Sequence, residues 1–388
     1  MPITLKLPRR DGLVTPYTLT NRAPISAPPG PITSRIGMAA VHVVADPLAS
    51  INPTLEVALD WDATLRYRHY MWSLGLAVAE AMDTSQRGMG FDWRTAKELI
   101  RRTVAEAKTV PGAVLASGAG TDHLEPGPRV TIADIEAAYE EQCAWIEGCG
   151  GRIILMASRA LAACAKGPSD YYKVYGRILA QVREPVIIHW LGDMFDPALE
   201  GYWGSRDLDQ ATETLLSIVK EHAARIDGVK ISLLDQAREI AMRKRFPATV
   251  RMYTGDDFDY PTTIRGDGDR HSDALLGIFD VIAPAASAAL KALDKGDLAR
   301  YAELLAPTLT LSRHVFGAPT RFYKTGVVFA AYLNGHQSHF RMVGGQESAR
   351  SLVHLSEQFV LMDRAGLFRD ADLAAARMRR VLAVAGVD

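Results

Sequence analysis

A closed (βα)8 TIM barrel, an α/β fold, is the architecture this sequence predicts. Eight short β-prone apolar runs recur along the chain, segments of helical period separate them, and no glycine-rich phosphate fingerprint follows the first run. The regular spacing of the runs favours a closed barrel over an open doubly wound sheet.

Residues 1–34 carry Pro2, Pro8, Pro16, Pro24, Pro28, Pro29 and Pro31, a density that excludes a regular helix. An extended arm or small hairpin is expected there, packed over the body or a neighbouring subunit. The barrel is expected over residues 35–280, with strands at Ile36–Val44, Leu76–Ala81, Ala113–Ser117, Arg152–Met156, Pro185–Trp190, Ile226–Ile231, Thr249–Tyr253 and Asp273–Phe279. Between them helices are expected at Asp92–Lys108, Ile132–Glu147, Ser169–Val182, Leu208–Ala224 and Asp235–Phe246. Thr131 with Asp134 resembles a capping box, and Asp92 and Ser169 read as N-caps. Past residue 281 no further strand is expected. Ala283–Leu293, Leu298–Val315, Arg321–Leu333, Glu347–Met362 and Ala371–Val384 make residues 281–388 a C-terminal helical region, set against the barrel or building an oligomer contact.

With 388 residues, 48% of them hydrophobic and 23% charged, the chain can bury a large core. Its 44 basic and 45 acidic residues nearly balance, and no Lys/Arg block carries interleaved aromatics, so neither composition nor pattern points to nucleic acid. Cys143, Cys149 and Cys164 are too few and too irregular for a disulfide framework, and no CxxC pair marks structural zinc. A reducing compartment, the cytoplasm, is expected. No run of about 18 uncharged apolar residues occurs, so neither a signal peptide nor a membrane span is read.

Active sites of such barrels form at the C-terminal ends of the strands. The polar residues there, in chain order, are His42, Asp83, Thr84, Ser85, Thr121, Asp122, His123, Ser158, His189, Lys230, Gly255, Asp256, Asp257 and His271. Lys230 ends an apolar run; burial of its ammonium lowers its pKa and leaves an amine able to attack a carbonyl, which is Schiff-base chemistry. The alternatives for this residue are a stem that reaches solvent or a fixed carboxylate partner. His189 ends the neighbouring strand, either as a hydrogen-bonded structural residue or as a proton shuttle. Asp256 is the candidate for a substrate hydroxyl, Asp257 for a helix cap. Thr84 and Ser85 offer hydroxyl and backbone N–H donors for a carboxylate, or form a plain polar loop.

These residues resemble the class I aldolases typified by dihydrodipicolinate synthase and N-acetylneuraminate lyase. Arg225-Ile226-Asp227-Gly228-Val229-Lys230 is similar to the sixth-strand segment whose lysine forms the Schiff base, and Thr254-Gly255-Asp256-Asp257 to the Ser-Gly-Asp-Asp that ends the seventh strand. Glu184-Pro185-Val186-Ile187-Ile188 resembles the fifth strand, and Ser117-Gly118-Ala119-Gly120-Thr121 the glycine-rich end of the third. Val281-Ile282-Ala283-Pro284 and Lys295-Gly296-Asp297 fall where the family begins and ends its first helix beyond the barrel. The resemblance spans roughly residues 35–340. Two departures stand out. His189 is the nearest candidate for the tyrosine that relays protons in the family, and Met82-Asp83-Thr84-Ser85-Gln86 replaces the carboxylate-gripping Gly-Thr-Thr-Gly-Glu, so Asp83 repels a carboxylate unless it is neutral or paired.

The resemblance implies a divergent subgroup, extended at both ends: a Schiff-base-forming carbon–carbon lyase, aldolase or dehydratase acting on a small 2-oxo acid or keto-sugar-like compound. Lys230 and His189 are the expected catalytic residues; Asp83, Thr84, Ser85, His123, Gly255 and Asp256 are expected to bind substrate. No metal and no organic cofactor is expected, and relatives commonly form dimers or tetramers, which implies a homo-oligomer. Two other readings stay open: a divalent-metal aldolase, isomerase or epimerase using His42, Asp83, His123, His189, Asp256 and His271, and a non-catalytic metabolite-binding barrel.

Overall fold

The expected runs pair in chain order around a closed parallel barrel. The computed structural model describes residues 2–20 and 22–387. Met1, Asn21 and Asp388, which fall within the expected arm and C-terminal region, lie outside the described residues. An antiparallel hairpin, β1 (Thr4–Pro8) with β2 (Val14–Thr18), precedes the barrel strands β3 (Gly37–Ala40), β4 (Ala77–Glu80), β5 (Leu115–Ala119), β6 (Arg152–Leu155), β7 (Val186–Leu191), β8 (Ile226–Ser232), β9 (Arg251–Thr254) and β10 (Asp273–Leu276). Strand β10 pairs with β3 and closes the ring.

Alternation along each strand sorts the side chains into two cores. Met38, Ala40, Ala77, Ala79, Ala116, Ile154, Ile187, Tyr253 and Leu275 fill the barrel interior. Their out-of-phase neighbours, among them Ala39, Val78, Ile153, Ile188, Val229 and Ile231, pack against the outer helices. Gly228 has no side chain because a Cβ there would lie 2.6 Å from the Tyr253 ring, which plugs the interior.

Several element boundaries differ from expectation for local reasons. The first strand ends at Ala40 because the His42 N–H turns to the Asp280 carboxylate at 2.9 Å. The eighth ends at Leu276; Asp257 accepts the Ile278 N–H at 2.9 Å, and the chain winds into a helical turn over Ile278–Val281. The helix Pro168–Gln181 is entered through Gly167 with Pro168 at its first position, not capped by Ser169. Thr131 and Asp134 do form a reciprocal capping box, and Asp92 caps Trp93–Ala107. A helix absent from the sequence reading, Trp61–Ser73, joins the first two barrel strands. It exposes little apolar periodicity because it buries Arg68.

Beyond the barrel, helices Ala283–Asp294, Leu298–Val315, Tyr323–Leu333, Leu352–Arg364 and Ala371–Val384 stack on its side and across its mouth. The N-terminal hairpin docks on this layer: Leu5 and Leu7 are buried, and Asp363 accepts from Tyr17 Oη at 2.6 Å and from the Thr20 N–H at 2.9 Å. Among the described residues no helix is long and apolar enough to cross a membrane.

One buried ion pair shapes the end of β4. Arg68 donates bidentately to Glu80 at 2.9 and 2.8 Å, and both side chains are fully excluded from water. Thr103 Oγ1 and the Ala81 N–H complete the carboxylate's partners at 2.7 and 2.9 Å. The Ala81 contact holds that residue at φ +54°, a conformation alanine seldom adopts, and so swings Asp83–Ser85 over the barrel mouth. Glu80→Gln leaves the Arg68 charge buried without its counter-ion and should cost about 3–5 kcal/mol, read as a lowered chemical-denaturation midpoint.

Candidate active site

Strands β7 and β8 run in register with His189 opposite Lys230, so both side chains enter the barrel at the same level. Gly228, Lys230 and Ser232 share the inward phase of β8. Lys230 is buried, and among the described residues its side chain makes no hydrogen bond or ion pair. Burial lowers its pKa, opposed by the charges of Asp83 and Asp257. Gly255 gives the stem room: a Cβ there would stand 2.9 Å from Lys230 Cε and 2.2 Å from Ser232 Oγ.

His189 Nε2 pairs with Ser232 Oγ at 3.2 Å. Burial, then the charge of Lys230, drives its pKa well down, so the imidazole is neutral. The Asp83–Ser85 turn faces these strands. Burial resists the charge on Asp83, but Lys230, Lys324, His189 and the Tyr323 hydroxyl outweigh it and hold the carboxyl at about 2. Tyr323 donates to Asp83 Oδ2 at 2.6 Å; with its one proton so used, it accepts from Thr84 Oγ1 at 2.7 Å. Ser85 turns away and donates to the Val41 carbonyl at 2.8 Å.

The two acids of the Gly255-Asp256-Asp257 run differ in their surroundings. Asp256 Oδ1 accepts the Phe258 N–H at 2.8 Å, a local turn contact, and the charges that act on it are Asp259 and Asp235 rather than Lys230. Asp257 is the carboxyl that senses Lys230. Burial pushes it up to about 8 despite the Ile278 N–H and Lys230, with Asp256 and Asp83 adding to the rise.

A cavity of about 280 Å³ opens above these residues, walled by Asp83, His189, Met156, Arg159, Phe195 and Lys324. Lys230 is set back from this wall, one strand beyond His189. Lys324, from the helix Tyr323–Leu333, is buried, and desolvation lowers it to about 8 against the pull of Asp83 and Asp196. Arg159 reaches across to Asp196 and to the Gly88 carbonyl.

Other expected site residues lie elsewhere. His123 is exposed and bound to Gln142 at 2.9 Å and Glu141 at 3.2 Å, outside the cavity wall, because the loop after β5 folds it back on the helix Ile132–Cys149. His271 precedes β10 and so lies at the opposite end of the barrel, among Arg35, Arg243 and Arg251. His42 is held by Asp280 at 2.8 Å. The six residues of the metal reading thus do not converge, and among the described residues no three His, Cys, Asp or Glu side chains form a metal-holding group.

Sequence reasoning did not single out Tyr323, Lys324 and Arg159, and it read Asp257 only as a helix cap. A signal for Lys324 was present: it is a lone cation in Tyr323-Lys324-Thr325-Gly326-Val327-Val328-Phe329-Ala330-Ala331, a helix buried throughout.

Solved structures share this fold. A putative dihydrodipicolinate synthetase from Pseudomonas aeruginosa is 16% identical with a TM-score of 0.63, over 86% of this chain and 100% of that one. A prophage protein of the dihydrodipicolinic acid synthase family from E. coli K12, in complex with pyruvate, is 12% identical with a TM-score of 0.64, over 92% and 99%. Dihydrodipicolinate synthase from Aquifex aeolicus is 14% identical with a TM-score of 0.59, over 91% and 98%. No curated protein matches the sequence. A family model does match, over residues 5–387, and the chain belongs to the family described as "Protein of unknown function (DUF993)".

Proposed function

We propose that the chain is a Schiff-base-forming lyase of the class I kind, a carbon–carbon lyase, aldolase or dehydratase, acting on a small 2-oxo acid or keto-sugar-like carbonyl compound through Lys230. One observation carries the reading: an inward lysine on the sixth barrel strand is buried without a fixed partner, between two carboxyls held in opposite protonation states. The shared fold with dihydrodipicolinate synthase-family structures, one of them solved with pyruvate, supports it.

Carboxyls driven apart in pKa mark an acid and a base. Protonated Asp257 is the acid and ionised Asp83 the standing anion. The Lys230 amine, carried on a flexible four-carbon stem, swings to the cavity and adds to the substrate carbonyl carbon. Asp257 gives its proton to the carbinolamine oxygen, water leaves, and the iminium charge is balanced by Asp83. Neutral His189 then accepts the proton whose removal drives bond cleavage, and the iminium takes up the electron pair. Tyr323 holds Asp83 and Thr84 in place throughout.

Borohydride reduction in the presence of a carbonyl substrate should fix a mass adduct on Lys230, located by peptide mass mapping. Lys230→Ala should lose both adduct and turnover; turnover that persists in this variant refutes the mechanism. The pH profile follows from Asp257. The acid is protonated below about 8 and is lost as pH rises through that value. Imine formation should therefore fall on the alkaline side. In Asp257→Asn that limb should disappear and the rate should drop by about 10²–10⁴-fold, as measured by stopped-flow trapping.

A further inference from the structure

The turn that faces Lys230 offers a substrate an acceptor, while both of its hydroxyls are committed to other partners. Thr84 spends its hydroxyl proton on Tyr323, Ser85 spends its own on Val41, and the Ser85 and Gln86 N–H groups donate to the Met82 and Asp83 carbonyls at 3.1 and 2.9 Å. Asp83 Oδ2 is occupied by Tyr323, but Asp83 Oδ1 is buried with no partner among the described residues. A carboxylate oxygen left dry and unpaired is costly, and what satisfies it is an O–H or N–H. A second carboxylate brought beside it meets an anion in a low-dielectric wall. Asp83 lines the cavity together with His189 and Lys324.

We infer that the site takes a ketone whose neighbouring carbon bears a hydroxyl, an α-hydroxy ketone of the ketose type, with that hydroxyl donating to Asp83 Oδ1, and that it discriminates against 2-oxo acids. This rests on the Schiff-base reading of Lys230 and narrows its substrate. The covalent step is unchanged: the amine nitrogen bonds to the ketone carbon, the carbonyl oxygen departs as water after two proton transfers, and the iminium remains. Its positive charge is formed next to the Asp83 anion. In a 2-oxo acid the substrate carboxylate would compete for that same place, so the discrimination falls on binding and imine formation together.

Hydroxyacetone and pyruvate test it directly, because they differ only in carrying a hydroxymethyl or a carboxylate on the same ketone carbon. Wild-type protein is incubated with each at equal concentration, reduced with cyanoborohydride, and the fraction carrying an adduct on Lys230 is read by intact mass and peptide mapping. Hydroxyacetone should label about 10-fold or more above pyruvate, since like-charge juxtaposition costs at least that much. Asp83→Asn, and independently Asp83→Ser, should move the ratio toward pyruvate by about the same factor. Pyruvate labelling equal to or above hydroxyacetone in the wild type overturns the hydroxy-ketone inference and leaves the lyase reading standing. So does an unchanged ratio in both folded variants. Absence of any adduct on Lys230 with either ketone overturns the lyase reading and this inference with it.

Discussion

Desolvation of the Lys230 amine is the constraint on which the site depends. A cation taken out of water demands either a counter-ion in contact or the loss of its proton. Here the strand delivers the lysine inward and Gly255 clears its stem, while the carboxyls nearby act through space without clasping it. The surrounding groups answer to that arrangement. Asp83 keeps its charge because Lys230, Lys324 and the Tyr323 hydroxyl outweigh its burial; Asp257 keeps its proton because burial outweighs the Ile278 N–H and Lys230. His189 stays neutral chiefly because burial disfavours its charged form, and Lys230, in the next strand at the same height, acts in the same sense.

The barrel was legible because closed parallel sheets write themselves as repeated apolar runs, and Lys230 with His189 was legible because polar residues inside such runs are rare. Other features followed from contacts that no run of residues displays. Asp256 and Asp257 are neighbours of identical chemistry, and only the turn geometry, in which Phe258 N–H takes one and Ile278 N–H the other, decides which faces the lysine. His123 and His271 sit near strand ends in sequence, but one is folded outward by its loop and the other belongs to the beginning of its strand. Tyr323 and Lys324 stand more than 90 residues beyond Lys230, and only packing of the C-terminal helices brings them to the mouth.

Rigidity at the mouth comes from outside the candidate site. The Arg68–Glu80 pair fixes the unusual backbone of Ala81 from the helix side of the sheet, and the Arg87 guanidinium then ties the Ala81 and Gly118 carbonyls to Asp122 and Gln142. Such layered support holds a strained turn at a defined angle, which is the circumstance in which strain survives in a folded protein.

Tyr323 and Lys324 are consecutive residues on one helix, and both converge on a carboxylate of the barrel. Sliding or tilting that helix by a fraction of a turn would withdraw a hydrogen-bond donor and a positive charge from Asp83 in a single movement. The helical appendage is thereby an electrostatic lid for the sheet below it: its seating sets the local potential, and a barrel stripped of it would keep its lysine and lose the field in which that lysine sits.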